Sequence, residues 1–129
     1  MYLLDTNAVI AALKGHRPLL SRIKAVAPQD VAISSVVAHE LYYGAFRSSR
    51  VEENLSRVDS LRFRIVEFDR DDARSAGEIR AGLARDGVPI GPYDVLIAGQ
   101  ALSRSLVLVT RNGREFSRVA GLKIEDWEG

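Results

Sequence analysis

The apolar runs of this chain are short, and helix-length segments separate them. Tyr2-Leu3-Leu4, Val31-Ala32-Ile33, residues 64–68 and residues 106–109 read as strands, the last being the most strand-like run in the sequence. Between them, Asp5-Thr6-Asn7 offers a cap ahead of a helix over 8–14, and a second helix follows over 19–26. Ser34-Ser35 caps a third helix that runs to about Phe46, and residues 51–61 form a fourth. Residues 71–85 make a long amphipathic helix ending near Gly87, and Gly91-Pro92 opens a nearly all-apolar one over 93–102. Asn112-Gly113 turns into a short helix, and a last extended piece lies around 122–124. Short buried strands alternating with helices predict an α/β fold, a parallel sheet covered on both faces. In such a sheet the ligand crevice lies at the carboxyl ends of the strands.

Length and composition narrow the function classes. A chain of 129 residues predicts one domain, 1–129, with a self-sufficient core. At 47% hydrophobic and 27% charged it is an ordinary globular sequence and not a disordered one. The absence of cysteine excludes a disulfide scaffold, a thiolate metal site and a cysteine nucleophile. No apolar run approaches the roughly 20 residues that span a bilayer, and no basic leader precedes Leu3-Leu4. The expectation is a cytoplasmic protein with no membrane partner. There is no GxGxxG and no P-loop lysine motif, so nucleotide-cofactor readings lack support.

A net charge of +1 does not make the whole molecule attractive to nucleic acid. The distribution is less even. With only three lysines (Lys14, Lys24 and Lys123), 15 of the 18 basic residues are arginine, whose planar fork suits phosphates. Residues 101–123 carry Arg104, Arg111, Arg114, Arg118 and Lys123 against the single acid Glu115. A second group, Arg47, Arg50, Arg57, Arg62 and Arg64, is diluted by Glu52, Glu53 and Asp59. A solvated surface is the plain reading of both.

Four positions stand out at strand ends and helix starts. Asp5 directly follows the first strand, where it is either a helix cap or a site carboxylate. Glu40 shares a helix face with Val36, Val37, Leu41 and Gly44, a costly place for a charge unless an arginine or a cation meets it. Asp94 opens the most apolar helix, with Ile97, Ala98 and Ala101 on its face, and either favours the helix dipole or serves as an oxygen ligand. Asn112 and Glu115 have the spacing of a capping box, which does not exclude a role in a site. Carboxylates converging without His or Cys make an oxygen-ligand site that suits Mg²⁺ or Mn²⁺ rather than Zn²⁺. Such ions activate water and neutralise charge on a phosphate. His39 reads as a solvent-facing or hydrogen-bonded residue, His16 as incidental, and Trp127 as a C-terminal packing anchor. Tyr42, Tyr43 and Phe46 are either core or a contact surface for another chain.

The segments Leu3-Leu4-Asp5-Thr6-Asn7, Val37-Ala38-His39-Glu40-Leu41-Tyr42-Tyr43-Gly44, Ile90-Gly91-Pro92-Tyr93-Asp94-Val95-Leu96-Ile97-Ala98 and Leu108-Val109-Thr110-Arg111-Asn112 occur in this order. Together with Arg114-Glu115-Phe116-Ser117-Arg118-Val119 and Ile124-Glu125-Asp126-Trp127 they resemble the PIN-domain ribonucleases, specifically VapC toxins of bacterial type II toxin–antitoxin pairs. The resemblance spans essentially the whole chain. It implies a PIN-like three-layer sandwich around a short-stranded parallel sheet, and Mg²⁺- or Mn²⁺-dependent hydrolysis of an RNA phosphodiester, often in tRNA. It further implies that Asp5, Glu40 and Asp94 match the acidic metal ligands and that Thr6 and Thr110 match supporting hydroxyls, Thr6 orienting the first acid or a water. At the fourth acidic position this chain has Asn112, which brings no charge, so Asn112 is expected to orient ligands or substrate. Arg111 and Arg114 are candidates for holding RNA phosphates. The family implies a VapB-type antitoxin as partner, promoter DNA reached only through that antitoxin, and a homodimer. Tyr42, Tyr43 and Phe46 are the candidates for the antitoxin groove.

Two other readings compete. A receiver-type phospho-acceptor domain also places acids at strand ends, but it needs a lysine after the last strong strand and a second acid beside Asp5, and this chain has neither. A PIN-like binding module disarmed at Asn112 would bind metal without turning over RNA.

Overall fold

The computed structural model describes residues 1–129. Five strands, β1 (Tyr2–Leu4), β2 (Val31–Ser34), β3 (Arg64–Val66), β4 (Val107–Val109) and β5 (Ile124–Glu125), form one parallel sheet in the order β3-β2-β1-β4-β5. The central strand is apolar because both of its faces are covered: Leu3 and Leu4 are fully buried, and Leu3 pairs with Ala32 on one side and Leu108 on the other. Seven helices connect the strands: α1 (Thr6–Leu13), α2 (Arg17–Lys24), α3 (Ser35–Phe46), α4 (Val51–Asp59), α5 (Arg70–Arg85), α6 (Pro92–Ser103) and α7 (Gly113–Phe116). The chain moves outward from β1 to β3, then returns across the sheet to β4. Right-handed crossovers therefore put α1–α4 on one face and α5–α7 on the other, giving three layers. The order also differs from the 2-1-3-4-5 arrangement that a receiver-type domain requires, which removes that alternative.

The predicted elements are present with shifted ends, and the shifts have causes. Residues 67 and 68 leave β3 because other groups claim their backbone. The Phe68 N–H donates to Ser35 Oγ, and the Glu67 carbonyl accepts from Gln100 Nε2 and Arg104 Nη2. Gln100 is fully buried on α6 and also donates to the Val66 carbonyl. Arg104 pairs with buried Asp72 at 3.0 Å and with Asp69 at 3.3 Å, the same two residues that close a capping box on α5. Burial alone would raise the Asp72 carboxyl, but the Arg104 guanidinium outweighs it and holds Asp72 below the usual aspartate range. Arg104 thus belongs to the frame and not to a phosphate-binding patch.

The C-terminal segment closes the far side of the sheet. Trp127 is 2% exposed, as expected of an anchor, with its ring 4.9 Å from that of Tyr2 and Arg22 over its face. His16 is not incidental: its Nε2 hydrogen-bonds the Glu128 carbonyl at 2.8 Å and fixes the tail to the start of α2. No helix is long and apolar enough to cross a membrane.

Helix α6 is apolar nearly all round because it is sandwiched, one face on the sheet and another on α5. The closest point of that contact is Gly99, where an added Cβ would lie 2.6 Å from the backbone of Ala76. No side-chain rotation relieves a clash with backbone. Gly99→Ala is therefore expected to destabilise the fold by about 2 kcal/mol, the usual cost of overpacking. Chemical denaturation checks it, and a midpoint unchanged from the parent would contradict the close approach.

Candidate active site

The order of the sheet reverses between β1 and β4, and the crevice at such a switch point opens at the carboxyl ends of those strands. Asp5 leaves β1 there with its N–H donating to the Val109 carbonyl, 3.1 Å, so its backbone is locked to β4. Its side chain caps α1, Oδ1 accepting from the Ala8 N–H at 2.8 Å. Cap and site carboxylate are thus one residue, and only one oxygen is used by the cap. Asp5 is 4% exposed. Burial pushes its carboxyl above the usual aspartate range, Thr110 and the Ala8 N–H pull it back, and the charges of Glu128 and Glu40 raise it further. Buried Thr110 ends β4, and its hydroxyl also accepts from the Asn112 N–H at 2.9 Å, which ties the turn after β4 to the first acid.

Asp94 comes from the first turn of α6, whose N-terminus faces the same edge. Partial burial, then the charges of Glu115, Asp5 and Glu40, push its carboxyl up to about 6. Contacts bring the acids to one edge: Thr6, next to Asp5, bonds Glu40, and the Gly91 N–H, at the start of α6 beside the Asp94 carboxylate, bonds Glu115. None of the four forms a salt bridge.

Glu40 arrives from the second turn of α3. The buried stripe of that helix is Val37, Ala38, Leu41 and Ala45, and Glu40 lies at its edge, half-buried, instead of sharing a core face with Val36 and Gly44. The Thr6 hydroxyl donates to Glu40 Oε1 at 2.8 Å. Thr6 therefore orients Glu40, whereas the family resemblance implies a role on the first acid or a water. The reason is local: Asp5 is already satisfied by Ala8 and Thr110, while Thr6 points from α1 toward α3.

The expected capping box at α7 does not form. Asn112 occupies the cap position without a side-chain cap bond, and its amide donates to Glu115 Oε2. Glu115 Oε1 accepts from the Gly91 N–H at 2.9 Å, one of the open donors at the start of α6. These two bonds hold the Glu115 carboxyl below its usual range. Asn112 and the Gly91 N–H thus fix the orientation of Glu115 at this edge. Arg111 and Arg114 are exposed on the neighbouring turn, and Arg111 lines a polar cavity with Asn7, Lys14, Asn112 and Glu128. Glu128 was not foreseen, because only the docking of Trp127 and His16 brings the tail to this edge. Tyr42 departs from Tyr43 and Phe46: its hydroxyl donates to Asp59 and its ring packs toward α4, whereas the other two are exposed. His39 is exposed against Tyr93.

The PIN domain family model matches residues 2–122. The tRNA(fMet)-specific endonuclease VapC of Salmonella typhimurium is 43% identical over 128 residues, 98% of this chain and 97% of that protein. The Shigella flexneri protein of the same name is 44% identical over 129 residues with the same coverage. Among solved structures, DNA-bound VapBC from Salmonella typhimurium superposes with a TM-score of 0.92 at 43% identity, covering 98% of this chain and 97% of that one. VapBC2 from Rickettsia felis, bound to a promoter DNA fragment, also gives 0.92, at 35% identity and 98% coverage of both chains. With a matching fold and relatives that align over nearly the whole chain, the chain belongs to the PIN domain family and, within it, to the VapC ribonucleases.

Proposed function

We propose that this protein is a metal-dependent endoribonuclease toxin that hydrolyses phosphodiester bonds in tRNA. The observation that carries the reading is the group Asp5, Glu40, Asp94 and Glu115, four carboxylates brought to one sheet edge by the starts of α1 and α6 and by the Thr6, Gly91 and Asn112 hydrogen bonds, none of them in a salt bridge. Such a group is unfavourable by itself and favourable around a cation. Its donors are all hard oxygens, which fits Mg²⁺ or Mn²⁺. No three His, Asp or Glu side chains are gathered tightly enough to hold one ion among them. That also fits Mg²⁺, which keeps several waters and takes one or two carboxylates directly. When bound, the ion neutralises charge on the scissile phosphate and makes water a better nucleophile.

The chain's own residues divide the remaining work. Asp5 and Asp94 would hold the ion directly, one fixed by a strand end and the other by a helix start. Glu40, aimed by Thr6, and Glu115, aimed by Asn112 and the Gly91 N–H, would orient water around the ion. Arg111 and Arg114, exposed beside the acids, draw the RNA backbone toward a pocket that would otherwise repel it. The names of the relatives support tRNA as substrate, and the complexes in which the structural neighbours were solved support a VapB-type antitoxin through which promoter DNA is reached. We read the protein as a cytoplasmic homodimer on the same resemblance.

Three outcomes are expected. Purified protein cleaves a tRNA(fMet) transcript in Mg²⁺ or Mn²⁺, and EDTA, Asp5→Asn or Asp94→Asn reduces the rate by about a hundredfold or more, since even residues that only support metal ligands cost 10–100-fold. Full cleavage by either variant would refute the assignment. Asn112→Ala, which frees Glu115, is expected to lose about tenfold in rate on the same scale.

The third concerns stability without metal. With its carboxyl at about 6 in the fold, against an ordinary 3.8, Asp94 keeps a proton that the unfolded chain has released. The Asp94 contribution to metal-free stability therefore falls as pH rises from about 4 to about 6 and levels off above, this group binding more proton in the folded state in that window. Asp94→Asn should raise the metal-free melting temperature at pH 7 and flatten this dependence. Calorimetry in EDTA checks it; a lower melting temperature would contradict the repulsion.

A further inference from the structure

A second cleft, of about 700 Å³, opens on the α3 side of the acids. Thr6 and Glu40 stand in its wall, so whatever fills it lies against the active site. Its other walls are aromatic. Tyr43 of α3 is 59% exposed and Tyr93 of α6 is 45% exposed, on two different helices. The His39 ring lies 5.5 Å from that of Tyr93, and the Arg47 guanidinium carbon lies 5.7 Å from the centre of the Tyr43 ring. Arg47 has no salt bridge.

Gly44 supplies an independent observation. It sits inside α3, where glycine is a poor helix former. An added Cβ would meet nothing within 4 Å, so no neighbouring element demands its small size. What a side chain there would take up is the space of the cleft that Gly44 lines.

We propose that this cleft takes the base of a nucleotide next to the scissile phosphodiester, stacked on Tyr43 and Tyr93, with Arg47 on its phosphate. The inference rests on the ribonuclease reading and adds to it a requirement that the RNA be unpaired there. Every base has a π-face, and tyrosine and arginine planes bind such faces once a base is splayed out of its helix. A base held inside a duplex could not enter. Thr6, Asn7 and Glu40 on one wall and the Arg47 guanidinium, which has no salt bridge, offer a nucleotide hydrogen-bonding partners beside the aromatic faces.

The test uses the full-length protein without antitoxin. KM and kcat are measured on a tRNA(fMet) transcript, and fluorescence anisotropy follows binding of a labelled single-stranded oligonucleotide spanning the cleavage site, without divalent ion. Tyr43→Ala and Tyr93→Ala are each expected to raise KM and the oligonucleotide Kd between about fivefold and a hundredfold, the range for losing one stacked base. Phenylalanine at either position should restore binding. An abasic nucleotide at one flanking position should cause the same loss, with no further loss when combined with Tyr93→Ala. Gly44→Leu should weaken binding while the melting temperature does not fall. Unchanged Kd in both alanine variants would overturn the proposal, as would losses that add at every abasic position. So would a Tyr43→Ala variant that turns a dimer into a monomer in sedimentation while still binding the oligonucleotide, since the cleft would then belong to a second copy. Aromatic-dependent binding without cleavage of any RNA would support the cleft and defeat the nuclease reading instead.

Discussion

Asp5 has to remain buried beside other acids with no basic side chain to meet it, and much of the molecule is arranged around that requirement. Its N–H is tied to β4, one carboxylate oxygen caps α1, and Thr110 supplies a further hydrogen bond. Those contacts offset part of the desolvation without neutralising the charge. The remainder is available to a cation. The same logic applies with less burial to Asp94, whose helix start stabilises an anion while its neighbours oppose one.

Helix α6 links this edge to the frame. Asp94 lies in its first turn; Gly99, Gln100 and, just beyond its end, Arg104 bind it to α5 and to the end of β3. The close approach at Gly99 and the buried Arg104–Asp72 pair set where α6 lies along the sheet. The position of an acid at one end is therefore decided by packing and charge pairing about one and a half to three turns away. Removing Arg104 would leave buried Asp72 uncompensated, which costs more than losing a fully exposed ion pair.

Much of this was legible in the sequence. Apolar runs too short for helices marked the strands, and Asp5 and Asp94 could be singled out because a strand end or helix start fixes an acid's place at the sheet edge. The parts that were not legible depend on how two elements approach each other. The spacing of Asn112 and Glu115 is that of a capping box, but the open Gly91 N–H on another helix draws Glu115 across. Thr6 faces Glu40 only because α1 and α3 lie side by side. Arg104 looked like one of a basic group until Asp69 and Asp72 came to meet it, and Glu128 reaches the site only through a docked tail.

The pairing of β1 with β4 joins Leu3 to Leu108, nearly the whole length of the chain apart. Contacts so distant in sequence form late, because the intervening loop must be closed before they bring any gain. Asp5 meets Thr110 only through that closure. A partly folded copy, or one partly unravelled by a protease, has its acids scattered over separate helices. The site therefore exists only once the sheet is closed, and a chain that has lost the β1–β4 pairing has no assembled group of acids.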